Sequence, residues 1–74
     1  MDLSTNRKLK NGREVNLGDK LKGKQTAEVV VLKDDEPGKF CVQVISNKLF
    51  VFDLDKFLNE WDDLEYTGSV LERN

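Results

Sequence analysis

The sequence predicts a mainly β fold, a small barrel of about five to six short antiparallel strands with one short helical turn. Three observations carry that expectation. Runs such as VVVL, FCVQV and LFVF are short and rich in β-branched and aromatic residues. Turn-forming pairs, Asn-Gly, Gly-Asp, Pro-Gly and Ser-Asn, separate them at the spacing of tight connections. The chain has 74 residues, enough for one domain and too few for a layered α/β sheet.

The elements follow in order. Residues 1–8 are polar and are expected to fray, leaving 9–74 as the single folded domain. Asn11-Gly12 is a hairpin signal because both residues tolerate positive φ, with Leu9 before it and Val15 and Leu17 after it. Gly18-Asp19 makes a second break that leads into Lys20, Leu21 and Lys22. In TAEVVVLKD, Ala27, Val29 and Val31 share one face, and Glu28, Val30 and Leu32 the other. A charged turn, Asp34 to Gly38, precedes FCVQVIS, whose Phe40, Val42 and Val44 alternate inward. Ser46-Asn47-Lys48 turns the chain into LFVFDL, which sets Leu49 and Val51 against Phe50, Phe52 and Leu54. KFLNEW fits a helical turn with Asp55 as its N-cap, and LEYTGSVLE reads as a last strand with Gly68 as a bulge.

Composition excludes several kinds of chemistry. There is no histidine, so a nucleophile would lack its usual base, and with one cysteine, Cys41, a zinc site is not expected. Cys41 lies in an alternating apolar run and reads as a small buried hydrophobe protected from thiol reagents. MDLSTNRKLK has no apolar stretch of the signal-peptide kind, and no run is long enough to span a bilayer. A soluble, cytoplasmic, non-catalytic protein without cofactor or metal is the expectation.

The stretch VFDLDKFL is similar to the nucleophile strand of haloacid-dehalogenase-type phosphatases, in which two aspartates two residues apart sit beyond a strand end near magnesium. The rest of that pattern is missing. Lys56-Phe57 stands where Gly-Thr is usual, and 19 residues after Asp55 cannot supply a parallel sheet or further metal ligands. The structural reading makes Phe50, Phe52 and Leu54 core, Asp53 solvated and Asp55 a helix cap.

Charge is segregated along the chain. Residues 1–24 hold seven basic and three acidic side chains, and residues 25–74 hold five and eleven, so +4 and −6 combine to the net −2. The acidic group Asp53, Asp55, Glu60, Asp62, Asp63 and Glu65 surrounds Trp61 and could receive a basic protein surface, with Trp61 either an anchor or a lid on the barrel. Lys8, Lys10, Arg13, Lys20, Lys22 and Lys24 form the alternative, a phosphate-contacting surface. That surface lacks the aromatics that stack on bases, and the net negative charge opposes non-specific nucleic-acid binding.

Two stretches carry a family resemblance. LKNGREVNLGDKL (9–21) resembles the K-N-G-[KR]-E-[IV]-x-x-G-D opening of the YopX family of small phage and prophage proteins, and LEYTGSVLERN (64–74) resembles that family's ending. The matching positions are Asn11, Gly12, Glu14, Val15, Gly18 and Asp19, then Gly68, Val70, Glu72 and Asn74. The family's aromatic-rich opening is missing, Ser69 replaces a common Asn, and Lys20-Leu21 follows Asp19 where Ile or Val is usual. The resemblance implies a Src-homology-three-like barrel and a mobile-element origin in a bacterium, and it carries no particular activity with it. With the charge layout, it points to a phage or prophage accessory protein that binds a host or phage protein.

Overall fold

The computed structural model of the chain describes residues 3–70. Among these, seven strands and one helix follow one another: β1 (Ser4–Lys8), β2 (Glu14–Asn16), β3 (Asp19–Lys22), β4 (Val29–Lys33), β5 (Phe40–Val44), β6 (Val51–Asp53), α1 (Leu54–Glu60) and β7 (Glu65–Ser69). β1 and β2 form a hairpin of their own, and the other five make an antiparallel sheet in the order β6-β5-β4-β3-β7. The mainly β expectation is met with seven strands instead of five to six. The barrel is not closed, because β6 and β7 are the two edges of one open sheet.

This topology follows from local chemistry. Asp34–Lys39 closes the β4–β5 hairpin, with Asp34 N–H donating to Lys39 O at 3.1 Å and Lys39 N–H to Glu36 O at 3.2 Å. Strands β3 to β6 therefore meander, each beside its predecessor. α1 then packs against β5 and β6 and carries the chain back to β7, which joins the sheet on the far side of β3. In the β1–β2 loop Gly12 has φ +91° and its N–H donates to Leu9 O at 2.9 Å; Gly18, between β2 and β3, has φ +86° and its N–H donates to Val31 O at 2.8 Å. Both turns need a left-handed backbone that a Cβ disfavours. At Gly68 the β3–β7 register slips, since Lys20 pairs with Gly68 but Leu21 with Tyr66, which is the expected bulge. The remainder of the expected last strand, Leu71 and Glu72, with Asn74 of the family resemblance, lies outside the described residues.

One face of the sheet makes the core. Val29 and Val31 of β4, Val42 and Val44 of β5, and Leu21 of β3 meet Leu54 and Phe57 of α1. The hairpin adds Leu9 and Val15, and Leu64 closes the end. Ala27 precedes β4 and is exposed rather than inward.

Four expectations need correction. Ser4–Lys8 does not fray but forms β1; Met1 and Asp2, which share that expectation, lie outside the described residues. The segment looked disordered because its side chains are polar, yet the buried Thr5 hydroxyl donates to Val15 O at 2.7 Å. Asn6, at φ +59°, sits where the β1–β2 register shifts, a conformation asparagine tolerates better than most residues. Asp53, not Asp55, caps α1: its carboxylate accepts the Lys56 N–H at 3.1 Å. Phe50 and Phe52 are not core; only Leu54 of that trio is buried. Cys41 is half-buried, opposite Leu32 and Asp53, rather than sealed inside.

Candidate functional site

The exposed rings of Phe50 and Phe52 mark the site. Phe52 pairs with Val42, and Val44 N–H donates to Phe50 O at 3.0 Å. Val42 and Val44 both face the core, so the two rings stand on the same face of the sheet. They stand at its edge, where the sheet ends and cover is missing. Phe50 is 54% exposed, Phe52 46%, Val51 49% and Leu49 90%. Four consecutive apolar residues, Leu49 in the turn, Phe50 after it, and Val51 and Phe52 of β6, thus meet solvent at the sheet edge.

Beside them lies an open groove of about 800 Å³. Val29 and Val44 belong to its lining, together with the rings of Phe50, Phe52, Phe57 and Trp61; Asp53, Lys56 and Glu60 are its charged members. The Phe52 and Phe57 rings stack with centroids 6.3 Å apart and planes inclined by 21°. Because α1 is seven residues long and begins directly after β6, it covers Leu54 and Phe57 but leaves the Phe50 end of the sheet open. Thr26, Ser46 and Asn47 are further polar members of the lining, and the predominance of aromatic and aliphatic side chains suits an apolar side chain or an extended strand.

The acidic residues expected around Trp61 are not one patch. Asp53 and Glu60 line the groove with Trp61, which is half-buried, packs on the core and donates its N–H to Phe57 O at 3.1 Å. Asp55 turns to the hairpin, where its carboxylate accepts from Arg7 Nε and, at 3.2 Å, from Arg7 Nη2. This pair, led by its hydrogen bond, holds the Asp55 carboxyl below the usual carboxylate range and raises the Arg7 guanidinium. Asp62 pairs with Lys10 at 2.6 Å, and Asp63 accepts the Lys24 N–H at 2.9 Å. Asp62, Asp63 and Glu65 line a second, smaller groove of about 400 Å³.

The basic residues are also dispersed. Lys22 and Lys24 line that second groove opposite the acids, and Arg13 lies 3.8 Å over the Tyr66 ring. Lys8 is exposed on β1, and the Lys20 side chain lies against Gly68 of β7. The charge asymmetry of the linear sequence is thus interleaved in space, because the N-terminal hairpin docks its cations on the acidic segment around α1. Burial, with Asp34, Asp35 and Asp53 adding to it, pushes the Cys41 thiol up and disfavours thiolate.

Among the described residues, no group of three or more His, Cys, Asp or Glu side chains is placed to hold a metal, and no helix is long and apolar enough to cross a membrane. No protein-family model, curated protein or solved structure matches the chain. The groove escaped the sequence reading, although a signal was present. LFVF is apolar at every position, whereas a half-buried strand alternates.

Proposed function

We propose that the chain is a non-catalytic protein-binding module, a cytoplasmic accessory protein of phage or prophage origin, whose contact surface is the β6 edge with its groove. One observation carries the reading: Leu49, Phe50, Val51 and Phe52 are all exposed beside an apolar groove on a small domain. Contiguous apolar surface of this kind marks a contact site on a soluble domain, and an exposed edge strand offers unpaired backbone groups beside it. The acidic residues then act at the rim, where Asp53 and Glu60 favour a partner with basic flanks. The mobile-element origin rests on the likeness at Asn11, Gly12, Glu14, Val15, Gly18 and Asp19. The nucleic-acid alternative has less support, since Lys10 is engaged by Asp62 and Arg13 lies flat on Tyr66.

The test compares capture of bacterial lysate proteins by the wild-type chain and by a Leu49→Ser/Phe50→Ser variant whose circular dichroism is unchanged. A partner held by the first and lost by the second supports the assignment. Capture that is equal for both removes the groove from it.

A further inference from the structure

The geometry points to a second copy of this chain as an occupant of the β6 edge: two β6 strands pair antiparallel about a twofold axis at Val51, joining two five-stranded sheets into one of ten strands. This deepens the reading of the β6 face as a binding surface and rests on it. The hydrogen-bond pattern sets the register. Val44 N–H donates to Phe50 O, and Phe52 is the partner of Val42. In an antiparallel ladder bonded and non-bonded pairs alternate, so the Val51 N–H and C=O point away from β5 to the open edge. A twofold axis normal to the sheet requires one residue to oppose itself. By this alternation Val51 and Asp53 both face the open edge; Asp53 caps α1 and would meet its own carboxylate, so Val51 is the residue of β6 that can oppose itself with two reciprocal hydrogen bonds.

The side chains agree with that register. Centring on Val51 sets Phe50 of each copy opposite Phe52 of the other, on the core face, where the two rings are half exposed in the single chain. Aromatic pairs across neighbouring strands are favourable, and here they would roof the open end of each groove. The only charged residue of β6 is Asp53 at its C-terminal end, which leaves the centre of the edge at Val51 uncharged. The exposed parts of Leu49, Phe50, Val51 and Phe52 amount to on the order of 400 Å² per copy, about half of the ~800 Å² per partner in a standard interface. The dimer is accordingly weak and concentration-dependent.

Sedimentation velocity and light scattering across micromolar to ~1 mM chain test this. The expected result is a mass that rises with concentration towards twice that of the chain. Val51→Pro removes the edge-facing N–H without touching a bond to β5. Val51→Lys keeps that N–H and places a charge at the axis. Both should remain monomeric with the wild-type circular dichroism spectrum; if the proline disturbs the fold, the lysine variant gives the same readout. A wild-type chain that stays monomeric up to ~1 mM overturns the proposal, as does a folded Val51→Lys chain that dimerises like the parent. The lysate comparison separates this from the broader reading. A monomer that captures a partner through Leu49 and Phe50 removes the self-pairing alone, and a dimer without any captured partner removes the other-protein reading alone.

Discussion

Replacing Asp53 with alanine should weaken the fold through a single hydrogen bond. The first helical turn leaves backbone N–H groups without intrahelical acceptors, and the Asp53 carboxylate takes that of Lys56 at 3.1 Å. The same carboxylate sits at the positive end of the helix dipole. The site is exposed, so water replaces part of what the alanine variant loses. The cost is then about 1 kcal/mol, within the ~0.5–2 kcal/mol span of cap removals. For a domain of this size that corresponds to a melting temperature lower by roughly 4–8 °C. Asp53→Asn keeps an acceptor and should melt within ~0.5 kcal/mol of the parent. Asp55→Ala removes an exposed ion-pair partner but no cap, and should lower the melting temperature less than Asp53→Ala. Thermal unfolding followed at 222 nm, a standard helix-sensitive wavelength (~222 nm), reads all three. The reasoning is refuted if Asp55→Ala is the more damaging variant, or if Asp53→Asn and Asp53→Ala are equally unstable.

Other expectations follow from the same geometry. Leu21→Ala should cost about 2–5 kcal/mol in urea unfolding, while Phe52→Ala should cost about 1–2 kcal/mol because half the ring is already in water; equal values would mean that Phe52 is core. Gly12→Val and Gly18→Val should each lose about 1–3 kcal/mol, and unchanged melting temperatures would contradict the positive φ at these turns. Cys41 should react with a disulfide reagent at pH 7 more slowly than free cysteine, since its thiol is half-buried and its pKa raised, but should not be sealed off; a rate equal to that of free cysteine rejects this. The depressed Asp55 carboxyl contributes stability that is complete above its unfolded pKa and is lost as pH falls through the lower folded value. Acid unfolding of Asp55→Asn should therefore show a shallower decline below pH ~4 than the parent, and identical curves would remove the Arg7 contact from the account.

Alternation, turn chemistry and glycine placement made most of the sheet legible. Val29, Val31, Val42 and Val44 face inward as their spacing requires, and the turns at Gly12 and Gly18 fall where Asn-Gly and Gly-Asp predicted. β1 was illegible because its order comes from tertiary partners, Val15 O for Thr5 and Asp55 for Arg7, which no local pattern encodes. The DLD stretch misled by two positions about where the helix begins. Either aspartate could cap, and the backbone enters α1 at Leu54, two residues earlier than the pattern suggested. The groove was misread for a third reason. An apolar run predicts burial, but a seven-residue helix cannot shield both Phe57 and the strand edge that precedes it. The acidic candidates dispersed because neighbours in sequence around a helix end point in different directions in space.

The place of β3 bears on how the chain is made. β3 lies between β4, which begins seven residues after it, and β7, whose Ser69 pairs with Asp19. On a ribosome, the meander from β3 to β6 can form as soon as it emerges, since each strand pairs with the one just synthesised. The flank of β3 stays bare until residues 65–69 have cleared the exit tunnel. Arg7 and Lys10, translated before the meander, likewise wait for Asp55 and Asp62. Closing such distant pairs is slow relative to local hairpins. During synthesis the nascent chain therefore carries two open sheet edges, β3 and β6, and the arrival of β7 covers the first while the second stays open.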